Sequence, residues 1–179
     1  MQGEDGVLKM ADKNFSVLCF RKGTVSGFSP RMRLDLIVNT MFKTAVQDGM
    51  ITVNNPSIWR PILSMEDAIS AYIRGIESAD GITGVFNLSS GNYTVGEVAD
   101  LVKEAVEGKL GQRVKLNIKH ITDFRNYKVT NDKAVTTLSF KPKHDVTAIL
   151  RELIANVDKF KDFDNPNYYN INIFKQIAQ

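Results

Sequence analysis

The sequence predicts an α/β fold, and three features do the predicting. Residues 15–20 are apolar apart from Ser16, which suits a strand covered on both faces in a parallel sheet flanked by helices. Two places carry a helix-start signal, Ser64 followed by Asp67 and Thr94 followed by Glu97, each a hydroxyl residue with an acid three positions on. Residues 114–119 alternate apolar and polar side chains, as a strand with one wet face does. Strand and helix periods interleave along 179 residues, long enough for one domain with a real core.

Taken in order, residues 1–14 end in Val7, Leu8, Lys9 and Met10 and suggest the remnant of a preceding helix, with residues 15–179 forming a single α/β domain. Residues 21–30, punctuated by Gly23, Gly27 and Pro30, suggest a loop. No helix with a Lys-Ser/Thr pair follows it, so it is not a phosphate loop. Over residues 34–48, Leu34, Ile37, Val38, Met41 and Ala45 share a helical stripe, which Asn39 adjoins and Gly49 is placed to end. Residues 51–56 form a strand and a turn. Trp59, Ile62 and Leu63 mark the next strand, and Pro61, lacking an N–H, implies that it is short or lies at an edge. The helix opened by Ser64 is expected to bury Ile69, Tyr72, Ile73 and Ile76. Residues 79–84 are a loop and 85–91 a strand and turn. The helix opened by Thr94 turns Val95, Val98, Leu101, Val102 and Ala105 inward and is expected to stop at Gly108, with Tyr93 and Val98 forming a hydrophobic staple. A last helix, at residues 146–160, faces Ile149, Leu150, Leu153, Val157 and Phe160 inward.

Composition excludes several functions. A net charge of +3, without a basic block, argues against nucleic acid and is compatible with a small anionic ligand. The single cysteine, Cys19, rules out a disulfide framework and suggests a small buried hydrophobe. The polar N-terminus lacks an apolar signal segment, and no run is long enough to span a bilayer, so a cytoplasmic location without membrane contact is the default. His120 and His144 are expected to be ordinary surface histidines.

Arg60 rides a strand that turns directly into a helix, a rigid place from which to grip an anion. Its string, Trp59-Arg60-Pro61-Ile62-Leu63-Ser64-Met65-Glu66-Asp67, is joined by Val85-Phe86-Asn87-Leu88-Ser89-Ser90-Gly91 and by Asp123-Phe124-Arg125-Asn126-Tyr127-Lys128-Val129, which leads on to Lys133-Ala134 and Leu138-Ser139-Phe140-Lys141-Pro142. On these segments the chain resembles the NAD-dependent nucleotide-sugar epimerase/dehydratase family, the extended short-chain dehydrogenase/reductases. The resemblance implies the C-terminal part of an extended Rossmann-type epimerase fold: the last strands of the dinucleotide-binding sheet and a small α/β substrate-binding lobe. It implies that Arg60 and Arg125 clamp the diphosphate of a UDP- or dTDP-sugar. It also places Thr24 at the substrate, Asn39 at the nucleotide or its phosphates, Lys22 at the nicotinamide end of the cofactor, and residues 51–56 beside the base. Arg31 and Arg33 are further candidates for ligand contact. The chain departs from the family pattern at Lys22 and Thr24, where tyrosine and asparagine are usual, at Ser26, where tyrosine is usual, at residues 51–56, which lack the usual glycines, at Ser64, where histidine is usual, and at Met65, where valine is usual.

The family's glycine-rich NAD loop and its Tyr-x-x-x-Lys pair do not occur in this sequence. The resemblance therefore implies a substrate-binding part that is not catalytic alone, with NAD the cofactor of the parent family and its binding by this chain in doubt. The expected partners are a nucleotide-diphosphate sugar and a separate chain carrying the Rossmann half, with a homodimer the other way to cover an exposed strand edge. A truncated gene product, a split subunit or a piece of a longer protein each fits this pattern. The alternative is a non-catalytic nucleotide-sugar-binding or interaction module, or an inactive remnant. Which nucleotide, which sugar, and epimerase or dehydratase are left open.

Overall fold

The computed structural model describes residues 2–122 and 125–170, together with 174 and 177. Helix α1 (Gln2–Leu8) is followed by β1 (Leu18–Lys22) and β2 (Thr24–Ser26), which only Gly23 separates. β1 pairs in parallel with β5 (Gly84–Leu88), and β2 pairs in parallel with β4 (Trp59–Ser64), so the chain changes partner at Gly23. There the Gly23 N–H donates to Leu88 O at 2.8 Å, and a Cβ would stand 2.9 Å from Pro61 O. A side chain at this position would push the two backbones apart. Residues 24–26, expected in a loop, are thus a strand.

β4 is central rather than marginal. β6 (Gly91–Thr94), a four-residue strand that the sequence did not suggest, pairs antiparallel to its other side. Pro61 is tolerated because β2 pairing begins one residue later, at Thr24 opposite Ile62, where a missing N–H no longer matters. A third small sheet joins β3 (Met50–Asn54) in parallel to β7 (Lys115–Lys119). The mixed α/β architecture with parallel pairing is the one expected.

α2 (Ile37–Asp48) starts later than its stripe suggested: the Leu34 carbonyl, which an earlier start would bond to a backbone N–H one turn on, accepts from Thr40 Oγ1 at 2.7 Å; the helix ends at Gly49 in the left-handed region, φ 62°. α4 (Val95–Leu110) has both bonds of its capping box, Thr94 N–H to Glu97 Oε2 at 2.6 Å and Glu97 N–H to Thr94 Oγ1 at 3.1 Å. It runs through Gly108 and stops at Gly111, φ 68°, one turn beyond the expected end. Val98, Ala99, Val102 and Val106 are buried along it. α6 (Val146–Phe160) has the expected bounds, capped by Asp145 accepting from Ala148 N–H at 2.8 Å. α5 (Asp132–Leu138) was not expected; it is short and ends at Ser139.

α3 (Met65–Ile76) corrects the reading of its faces. Ile69, Tyr72, Ile73 and Ile76 are 46–84% exposed, while Asp67, Ala68 and Ala71 are buried. The small-residue face meets the sheet because it allows close approach: a Cβ at Gly75 would lie 2.9 Å from the Phe20 ring. The start of the helix also differs. Ser64 Oγ accepts from Asp67 N–H at 2.9 Å, but the reciprocal bond is absent, since Ser64 N–H donates to Ser90 Oγ at 2.9 Å.

The run at 15–20, expected to be buried on both faces, is half-covered. Leu18, Cys19 and Phe20 are partly exposed, and among the described residues β5 is the only strand paired with β1. Cys19 is accordingly half-buried rather than buried. The larger core packs α2, α4 and α6 on β3 and β4 around Val38, Phe42, Ile51, Ile62 and Val102. A smaller core holds Leu63, Ala71, Phe86, Leu88 and Phe140 beneath α3 and α5. No helix among the described residues is long and apolar enough to cross a membrane.

Candidate functional site

The described residues of the segment after β7, 120–122 and 125–131, have no regular structure, yet side-chain amides hold them against the sheets. Asn55 exchanges two bonds with Ile121, to its carbonyl at 2.6 Å and from its N–H at 2.9 Å. Asn92 does the same with Val129 at 2.9 and 3.0 Å, and Asn131 with Ser89 at 2.9 and 2.8 Å. Each pair imitates one rung of a strand ladder, so these backbone groups are satisfied without a strand. Asn126 Oδ1 adds a bond from Trp59 N–H at 2.9 Å, and the Lys128 ammonium lies 3.4 Å from the Trp59 ring centroid.

This lacing brings Arg125 to Arg60. Arg60, on β4 opposite Tyr93, donates from Nη1 to Trp59 O at 2.9 Å and to the Arg125 carbonyl. Both arginines line one cavity of about 320 Å³. Its other walls are Asp35, Ile37, Thr40 and Met41 from α2 and its approach, Thr52 and Asn54 from β3, and Ile58, Val95 and Ile121. No side chain caps α2, so the positive end of its dipole adds to the cationic character of that wall. Asp123 and Phe124 of the Arg125 motif lie outside the described residues.

Asp35 is the cavity's acid, and sequence reading passed it over. Its carboxylate is gripped by Arg33, Nε to Oδ1 at 2.7 Å and Nη2 to Oδ2 at 3.1 Å. Burial works to raise its pKa, but the Arg33 bond and charge, with the amides of Asp35 and Asn170, hold it below the usual carboxylate range. Arg33 is thereby engaged within the protein, as is Arg31, whose Nη2 donates to Asn170 Oδ1 at 2.6 Å.

The remaining sequence candidates do not line this cavity. Asn39 is 2% exposed; its Oδ1 accepts from Gly27 N–H at 3.2 Å, and its Nδ2 donates to Gly27 O at 3.4 Å and Arg33 O at 3.0 Å. It holds the approach to α2 that carries Arg33 and Asp35. Gly27 itself has φ 125°, a conformation that favours glycine, and a Cβ there would displace the Glu152 carboxylate, whose Oε2 lies 2.8 Å away. Thr24 sits in β2, where its carbonyl accepts from Ser26 Oγ at 3.4 Å. Lys22, on β1, donates to Tyr72 OH at 3.1 Å and lies over that ring at 5.4 Å. With the glycine-rich loop missing from the sequence and Lys22 turned to α3, the described residues do not make a seat for NAD.

His144 corrects its reading as an ordinary surface residue. Nδ1 meets Asp67 Oδ1 at 2.9 Å and Nε2 meets Glu66 Oε2 at 2.6 Å, joining the start of α3 to the approach of α6. Among the described residues no cluster of three or more His, Cys, Asp or Glu side chains is arranged to hold a metal ion.

No known family profile matches the sequence. The fold, however, matches about half of each of several nucleotide-sugar epimerases of known structure. The chain superposes on UDP-N-acetylglucosamine 4-epimerase of Bacillus cereus with a TM-score of 0.71 at 22% identity, covering 92% of this chain and 53% of that one. It superposes on ADP-L-glycero-D-manno-heptose-6-epimerase of Helicobacter pylori with a TM-score of 0.72 at 16% identity, covering 87% and 48%. UDP-glucuronic acid 4-epimerase of Bacillus cereus, in complex with UDP-glucuronic acid and NAD, gives 0.69 at 19% identity, covering 89% and 50%. The chain thus spans about half the length of the structures it matches.

Proposed function

We propose that this chain is the substrate-binding part of an NAD-dependent nucleotide-sugar epimerase or dehydratase, holding the diphosphate of a UDP- or dTDP-sugar between Arg60 and Arg125. One observation carries the reading: two arginines 65 positions apart in sequence line one cavity, and the Arg60 guanidinium donates to the Arg125 backbone carbonyl. Each offers a planar fork of donors suited to phosphate oxygens. The apolar side chains of Ile37, Ile58 and Ile121 across the same cavity suit a base. Its volume falls within the roughly 300–1,000 Å³ usual for small-molecule sites.

Oxidation of the sugar needs groups that this sequence does not contain, so the cofactor and the general base belong to a Rossmann half on another polypeptide segment. The one-sided pairing of β1 and the exposed apolar stripe of α3 favour such a companion. Both are faces that a larger parallel sheet and its helices cover. The chain on its own is then a nucleotide-sugar binder rather than a catalyst.

Titration calorimetry of the purified chain with UDP-glucose and dTDP-glucose tests the reading. We expect measurable heat with at least one, and a loss of about 10- to 100-fold in affinity for Arg125→Ala, from the roughly 1.5–3 kcal/mol of a charge-assisted bond. Arg60→Lys, which keeps the charge and loses the fork, should fall between wild type and Arg60→Ala. Equal binding by wild type and all variants, or no heat with either sugar, overturns it.

A further inference from the structure

Asp35 is the only acid among the described residues lining a cavity that holds two arginines, and this placement asks for an explanation. A bare carboxylate there would repel a diphosphate and weaken the site by Coulomb repulsion. Two features remove that cost. Arg33 neutralises the carboxylate side-on with one hydrogen bond per oxygen, and Asn39 pins the Arg33 carbonyl, so the pair is held in place. With Arg33 holding its pKa down, Asp35 stays ionised at neutral pH and acts only as an acceptor. At about two bonds per oxygen the carboxylate accepts about four; Arg33 takes two, and the Asp35 and Asn170 amides are the partners with which ligand hydroxyls compete for the rest.

An acceptor in a binding cavity selects for a donor. At neutral pH the bridging diphosphate of a nucleotide sugar has no proton to donate. The ribose is the link between phosphates and base, and its 2′- and 3′-hydroxyls are two adjacent donors that match the two oxygens of one carboxylate. With the arginines suited to the phosphates and Ile37, Ile58 and Ile121 to the base, the diol is the part of the ligand left for the cavity's acid.

We infer that Asp35 reads the ribose diol of the bound nucleotide, so that the cavity takes a ribonucleoside diphosphate in preference to its 2′-deoxy counterpart. The inference rests on the nucleotide-sugar reading of the cavity and sharpens it: of the two nucleotide classes considered, the uridine type is preferred over the deoxythymidine type.

Calorimetry with UDP and 2′-deoxy-UDP tests this, because the two probes share base and phosphates and differ in one hydroxyl. Wild type should bind UDP at least tenfold more tightly, the scale of one hydrogen bond to a charged group. Asp35→Asn, which keeps the shape and removes the charge, should narrow that ratio to within about threefold, with a thermal melt confirming that it is folded. Equal affinity of wild type for the two probes overturns the inference while leaving the diphosphate clamp standing, and so does a ratio that Asp35→Asn leaves unchanged. Failure of both nucleotides to bind overturns the inference and the clamp together. The wild-type ratio needs no variant to fold.

Discussion

Asp67 lies in the first turn of α3, 2% exposed, where its two oxygens accept from Ser90 Oγ at 2.6 Å, Lys143 N–H at 2.9 Å and His144 N–H at 3.1 Å. Burial works to raise its pKa, and these bonds, with the His144 ring, outweigh it and hold the group below the usual carboxylate range. Asp67→Ala would leave two backbone donors and a hydroxyl unpaired and should cost about 2–4 kcal/mol. A depressed folded pKa contributes stability that is present above the unfolded value, about 3.9, and is lost as pH falls through the folded one. The gap between wild type and Asp67→Asn in urea melts should therefore be widest near pH 7 and shrink below about pH 4. A gap that is constant with pH would show that the charge is not involved. Glu152 runs the other way. Burial raises its pKa despite the bond from Phe28 N–H at 3.2 Å, so its ionised form costs stability at neutral pH. Glu152→Gln should melt higher than wild type at pH 7, with the gain fading below the ordinary glutamate range. At this scale the sequence exposed Arg60 and Arg125 through the motifs around them. It hid Asp35 and the His144 contacts, whose partners meet only through tertiary folding.

α4, announced by its Thr94 cap and its apolar stripe, and α6, announced by its stripe alone, were the legible helices, and both fold over the expected faces. α3 misleads because two faces of it can pack, one of large apolar residues and one of Ala68, Ala71 and Gly75; close approach to Phe20 and Leu18 selects the small one. α5 was missed because it has seven residues and its N-cap Asn131 makes no capping bond, its side chain being bonded to Ser89 instead. Its end yields a prediction. Ser139 adopts φ 53° as the C-cap, a conformation that costs a residue with a Cβ roughly 1–2 kcal/mol. Glycine removes that strain but adds about 0.5–1 kcal/mol of unfolded-state entropy. Ser139→Gly should therefore stabilise the chain by about 0.5–1 kcal/mol, raising the denaturant midpoint at an unchanged slope. A lowered midpoint would mean that the Ser139 side chain makes a contact worth more than its strain.

Stability should be unevenly spread over the whole molecule, because its two cores differ in size and cover. The larger one is enclosed by α2, α4 and α6, with Val102 and Leu153 fully buried at its centre. The smaller one ends at β1, whose residues are half-buried or exposed. The apolar composition of residues 15–20 fits a strand flanked on both sides, and composition alone cannot say whether both neighbours are present. Val17 O accepts from Gly84 N–H and Gly23 N–H donates to Leu88 O, so the odd-numbered residues turn their backbone groups to β5 and the even-numbered ones turn away. The amides of Leu18, Phe20 and Lys22 therefore face the open edge, where opening needs only a local fluctuation. Those of Val102 and Leu153 are released by unfolding of the larger core. Amide hydrogen exchange at neutral pH should show Leu18, Phe20 and Lys22 exchanging at least tenfold faster than Val102 and Leu153, after correction for intrinsic rates. If a companion half of the fold covers β1, adding it should slow the three edge amides and leave the two helix amides unchanged. Equal protection at all five positions in the isolated chain would show that the edge is already covered and that the two cores open as one.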